Sequence, residues 1–140
     1  MILYLETSDL VKLYALEPDS NEIAGRVQAA DIVATSILSY AEARAALSRK
    51  FREKGIDKNE YERVKNELET DWEHYFVINL NNNLVKSAGD LTEKHALRGF
   101  DALHLASALE IKRLTSLPVT FSSSDARLRS AAQEEGLVMP

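Results

Sequence analysis

The chain has 140 residues, 45% of them hydrophobic, which suits one domain with a full core. It contains no cysteine, so disulfides and thiolate metal sites are excluded, and any metal must be held by carboxylate, hydroxyl, carbonyl, imidazole or water. With 17 basic against 22 acidic residues the formal charge is -5, which argues against tight, purely electrostatic binding to nucleic acid; an enzyme using a bound cation and a local basic patch stays open.

The first apolar run, Ile2-Leu3-Tyr4-Leu5, predicts a strand that ends abruptly on Glu6. It is too short for a signal-peptide core or a membrane span, so a cytoplasmic location is expected. Thr7, Ser8 and Asp9 follow, and Leu10, Val11, Leu13 and Tyr14 then resume at helical spacing. Taken alone, Ser8 or Asp9 reads as a helix cap, and a surface or capping role is expected for Asp9. Asp19 and Glu22 stand at capping-box spacing and predict the start of the next helix. Ile32-Val33-Ala34 reads as a second buried strand, closed by Thr35 and Ser36, which offer caps for a helix from about 37 to 52. Glu42 lies about a turn and a half inside that helix, among small residues.

Lys54-Gly55 predicts a helix stop, and Asp57 with Glu60 a new start by capping-box logic. Tyr61, Val64, Leu68 and Trp72 then form a core stripe between charged residues, so the two helices around Gly55 suggest a hairpin. Phe76-Val77-Ile78 is a third strand candidate, followed by a polar turn, Asn79 to Asn83, and a helix with Leu84, Val85, Ala88 and Leu91. A further helix is expected from Asp101 to about Lys112, with Asp101 in its first turn, where the helix dipole favours an anion. Pro118 to Phe121 reads as the fourth strand. Ser122-Ser123-Ser124-Asp125 then precedes a helix stopped by Gly136, and Leu137-Val138-Met139 is a candidate last edge strand. Strands alternating with helices predict a three-layer α/β/α sandwich around a mostly parallel sheet of four to five strands, in a single domain spanning residues 1–140.

Glu6, Glu42, Asp101 and Asp125 all fall at, or a turn beyond, the carboxyl ends of the expected strands, where open parallel sheets bind ligands. Each has an ordinary structural reading: Asp101 and Asp125 as helix-start residues, Glu42 as a helical ion-pair neighbour, Glu6 as a strand-end acid. Jointly, four converging carboxylates raise one another's pKa unless a cation compensates, and oxygen-only ligands favour Mg²⁺ or Mn²⁺. Such an ion generates hydroxide for in-line attack on phosphorus, so phosphodiester hydrolysis is the chemistry that fits. Lys12, Arg44 and Arg98 lie near these acids in sequence, as phosphate contacts or as ion-pair partners. His104 shares a helix face with Asp101 and is expected to form a structural hydrogen bond, while His74 and His95 lack ligand spacing.

Four stretches, Ile2 to Ser8 with Leu10 to Tyr14, Ser39-Tyr40-Ala41-Glu42, Phe100 to Ala106, and Phe121 to Asp125 with Arg127-Leu128, together resemble the PIN-domain family, most closely its VapC-like toxin branch. The resemblance spans essentially the whole chain. It implies a Mg²⁺- or Mn²⁺-dependent ribonuclease, an RNA substrate, a small antitoxin partner covering the acidic site, and a homodimer. By position Glu42, Asp101 and Asp125 match the family's second, third and fourth acids, and Ser8 and Ser123 match hydroxyls near the metal. Glu6 stands where the family's first acid is ordinarily Asp. Its extra methylene moves the carboxylate by more than a metal ligand tolerates without rearrangement, so a weakened or inactive interaction module is the alternative. A phosphoaspartate receiver fits less well, because no Asp ends the first strand and no lysine follows the late one.

Overall fold

The computed structural model describes residues 1–140. Four strands, β1 (Ile2–Leu5), β2 (Ile32–Ser36), β3 (Phe76–Ile78) and β4 (Val119–Ser122), form one all-parallel sheet in the order β3-β2-β1-β4. β1 is a central strand, buried on both faces, and its side chains alternate between two cores. Leu3 and Leu5 enter one, with helices α1 (Thr7–Leu10), α2 (Ser20–Ala29), α3 (Leu38–Arg52) and α4 (Lys58–Trp72). Ile2 and Tyr4 enter the other, with α5 (Asn82–His95), α6 (Gly99–Thr115) and α7 (Ala126–Glu134), where Tyr4 stacks on its strand neighbour Phe121 with ring centroids 5.4 Å apart. The expected α/β/α sandwich is therefore present.

The crossovers from β1 to β2 and from β2 to β3 use one layer, and that from β3 to β4 uses the other. The direction of winding reverses between β1 and β4, and the loops after those strands open a crevice at their carboxyl ends. The loop after β1 holds Glu6, Thr7, Ser8 and Asp9; the loop after β4 holds Ser123 to Asp125.

Several local expectations need correction. The helix after Glu6 is one turn of α1 followed by a 3₁₀ turn, Val11–Leu13. Asp19 sits at the head of α2 but makes no capping bond, because its carboxylate accepts from Lys12 Nζ at 2.6 Å instead. Thr35 and Ser36 are the last residues of β2: Thr35 Oγ1 donates to the Leu5 carbonyl at 2.7 Å, tying β2 to its neighbour, and Ser36 Oγ accepts from the Leu38 amide at 3.2 Å at the head of α3. Ile32, read as buried, is exposed at the start of β2. The expected stop at Lys54-Gly55 is present, with Lys54 turning at φ 60° and the Gly55 amide donating to the Lys50 carbonyl at 2.8 Å. α6 begins two residues earlier than expected and runs three longer. Leu137 to Met139 forms no strand; a single bridge joins Val138 to Thr120, and Gly136 at φ 86° turns the chain there. Asp57 does cap α4, accepting from the Glu60 amide at 2.8 Å. No helix is long and apolar enough to cross a membrane.

Candidate active site

β1 delivers Glu6 to the crevice and α1 turns it inward. Its buried carboxylate caps α1 by accepting from the Ser8 amide at 3.1 Å, and the same oxygen, Oε2, accepts from the Ser8 hydroxyl and from Ser123 Oγ at 2.8 Å. Oε1 has no protein donor. Both expected hydroxyls, Ser8 and Ser123, thus converge on the first acid, one from each loop of the crevice.

Glu42 faces the same region from α3, and its position is set from beneath. Thr7 Oγ1 donates to Glu42 Oε1 at 2.6 Å, and His104 Nε2 lies 2.7 Å from that oxygen and 3.2 Å from Thr7 Oγ1. On its other side His104 Nδ1 meets the Tyr4 hydroxyl at 2.8 Å. Burial, with the charge of Glu6 nearby, pushes the Tyr4 pKa well above 10, so the hydroxyl remains a donor. The tautomer that satisfies every contact therefore has Tyr4 O–H donating to Nδ1 and Nε2–H donating to Glu42. Burial alone would raise the Glu42 pKa, but the bonds from His104 and Thr7 outweigh it and hold the carboxyl below its ordinary value. Glu42 is an anion at neutral pH with Oε2 free of protein donors. The hydrogen-bonding role expected of His104 is the one it has.

Asp101 lies in the first turn of α6, half-buried, with Arg98 Nε 3.4 Å from its Oδ2. Asp101 and Glu42 line one cleft of about 600 Å³, whose wall carries the exposed apolar side chains Phe100 and Val85. Asp125 is the N-cap of α7, accepting from the Leu128 amide at 3.1 Å, while its own amide donates to Ser123 Oγ at 3.1 Å. Ser123 thereby links the first and fourth acids. Arg44 stands away from the crevice, bonded to Tyr40 at 2.9 Å; His95 lies between Glu134 and Glu135, each at 3.3 Å.

The four acids are gathered at one end of the sheet, but no three acidic or histidine side chains stand close enough together to hold an ion as a ready-made cage. Mg²⁺ does not require one: it keeps several waters and is held by one or two carboxylates plus substrate phosphate. Glu42 and Asp101, which line one cleft and each have an oxygen free of protein donors, fit that water-rich mode in donor chemistry and number.

Asp9 is the residue that sequence reasoning misplaced. It is 1% exposed, neither a surface acid nor a cap, and accepts from Ser122 Oγ at 2.6 Å and Ser124 Oγ at 2.5 Å. Lys12 Nζ and Arg26 Nη1 each lie 3.6 Å from its carboxylate. Burial works to lower the Lys12 pKa, but Asp19 and Asp9 outweigh it and keep the ammonium charged. The one available signal was an acid just before an apolar pair, followed three residues later by a lysine.

The family model described as PIN domain matches residues 3–136. Ribonuclease VapC45 of Mycobacterium tuberculosis is 34% identical over 114 residues, covering 79% of this chain and 76% of the relative. Among solved structures, VapBC2 from Rickettsia felis bound to a DNA fragment from its promoter superposes with a TM-score of 0.67 at 17% identity, covering 100% of this chain and 98% of that one. A toxin-antitoxin complex from Klebsiella pneumoniae gives 0.60 at 16% identity, covering 88% of each chain. The structural likenesses speak for the fold.

Proposed function

The chain belongs to the PIN-domain family, and from that premise we propose that it is a Mg²⁺- or Mn²⁺-dependent endoribonuclease, the cytoplasmic toxin of a toxin-antitoxin pair, acting as a homodimer. The observation that carries the reading is that Glu42 and Asp101 line one cleft, with Glu42 held by Thr7 and His104 through one oxygen and its other oxygen free of protein donors. These two acids would hold the ion. The chemistry supplied by a bound divalent cation is that of a Lewis acid, easing ionisation of water and offsetting charge on the leaving oxygen.

The chain's own groups do the positioning. His104 and Thr7 keep Glu42 ionised and fixed in one rotamer. Ser123 donates to the Glu6 carboxylate and accepts from the Asp125 amide, so it ties the first acid to the backbone that carries the fourth. Arg98, at the cleft lip and mostly exposed, meets substrate phosphate from the side of Asp101. An acidic cleft flanked by exposed Phe100 and Val85 suits a partner with basic and apolar side chains, and the Klebsiella and Rickettsia relatives support an antitoxin in that role.

One observation favours a second reading, an inactive interaction module: Glu6 already commits one oxygen to three donors. The deciding experiment is cleavage of a structured RNA pool in Mn²⁺ by the chain and by Glu6→Asp, with EDTA and Asp101→Asn controls. EDTA-sensitive cleavage by the chain, lost in Asp101→Asn, supports the enzyme. Cleavage by Glu6→Asp alone means that the first acid disables a nuclease scaffold, and silence from both favours the module.

A further inference from the structure

The buried carboxylate of Asp9 lies outside the four acids of the proposed reaction, yet it touches the chain segment that carries one of them. From the last residue of β4 onward the side chains alternate: the hydroxyls of Ser122 and Ser124 reach Asp9, and that of Ser123, between them, reaches Glu6. Each outer hydroxyl is held from both directions. Arg26 Nη1 donates to Ser122 Oγ at 3.0 Å, and Lys12 Nζ donates to Ser124 Oγ, while both hydroxyls donate to Asp9. Two cations and two hydroxyls around one buried anion fix its charge and its hydrogen-bond directions together, which a neutral side chain of similar size cannot reproduce.

We propose that Asp9 is a positioning residue of the site: gripping Ser122 and Ser124, it sets the backbone that presents Ser123 to Glu6 and delivers Asp125 to the head of α7. The amides that report this placement are those of Ser124, donating to Ser8 Oγ at 2.9 Å, and Asp125, donating to Ser123 Oγ at 3.1 Å. The kinetic consequence rests on the ribonuclease reading; the structural one does not.

The test compares Asp9→Asn and Ser124→Ala with Val64→Ala, a buried change on α4 whose general destabilisation serves as the reference. Amide hydrogen exchange is read at Ser124 and Asp125, and RNA cleavage is measured in Mn²⁺. In Asp9→Asn those two amides exchange at least about tenfold faster than in Val64→Ala, the factor expected for loss of one charge-assisted hydrogen bond. Ser124→Ala, which removes only one grip, moves them the same way by less and keeps the proposal testable if Asp9→Asn does not fold. Cleavage by Asp9→Asn falls about tenfold in kcat with KM within about twofold, the pattern of a misplaced reacting group rather than lost binding. Exchange no faster than in Val64→Ala, in both variants, overturns the proposal. If the unaltered chain cuts no RNA while the exchange result holds, the positioning stands and the ribonuclease reading falls.

Discussion

Replacing Tyr4 by Phe removes one oxygen from the floor of the site and tests the whole relay from β1 to Glu42. The Tyr4 ring is fully buried and stacked on Phe121, so Phe keeps the packing and loses the bond to His104 Nδ1 at 2.8 Å. That leaves an imidazole acceptor unpaired in a dry environment, a loss of roughly 1–3 kcal/mol. With about 2.1 cal/mol/K of unfolding entropy per residue, a chain of 140 residues loses roughly 3–4 °C of Tm per kcal/mol, so a fall of about 3–10 °C is expected. The decisive arm is a double-mutant cycle with His104→Leu, read by urea denaturation. Once the imidazole is gone, Tyr4→Phe strands no partner and its effect shrinks, giving a coupling of roughly 1 kcal/mol or more. Additive effects, or a Tm drop under about 1 °C for Tyr4→Phe alone, would refute the bond and the tautomer inferred from it.

Two further predictions concern parts of the molecule remote from the acids. Lys94 holds the Glu135 carboxyl below its ordinary pKa, against a smaller opposing effect of burial and with help from His95. The stabilisation from this ion pair is present above the unfolded pKa and is lost as pH falls through the folded one, so Glu135→Gln is destabilised by about 0.2–1 kcal/mol near neutral pH and matches the parent chain in strong acid. A urea-denaturation difference that stays constant across that range contradicts it. Gly136→Ala destabilises by about 1 kcal/mol, chiefly because φ is 86°, since the new methyl would meet only the mobile end of Lys112 at 2.9 Å. Thermal unfolding measures it, and an unchanged or raised Tm would show that the turn tolerates a side chain.

What could be read from the sequence was what local chemistry determines. β1 shows itself because four apolar residues end on an acid, and α4 because Asp57 and Glu60 satisfy each other's spacing. Glu6 and Asp125 follow β1 and β4 as an alternating chain leads one to expect, whereas Asp101 follows α5 rather than a strand and Glu42 lies inside α3, so their places depend on helix packing. Asp19 misled because its spacing to Glu22 is the capping signature, yet a lysine from the preceding segment took its carboxylate. Asp9 was misread for a related reason: the hydroxyls that bury it are 113 and 115 residues away, and no local pattern encodes a partner at that distance. The last segment failed as a strand because Gly136 turns it, leaving one residue to bridge β4.

The pairing of β1 with β4 also sets a schedule for the living cell. Leu5 and Ser122 are strand partners, so during synthesis the first acid waits while the chain grows by 117 residues, from Glu6 to Ser123, before its opposing loop exists. At about 5–20 residues per second that interval is roughly 6–23 s. A half-made chain on the ribosome holds Glu6 and Asp9 with no serine loop to fix them, so the crevice is structurally incomplete until residues 122 to 125 have been made.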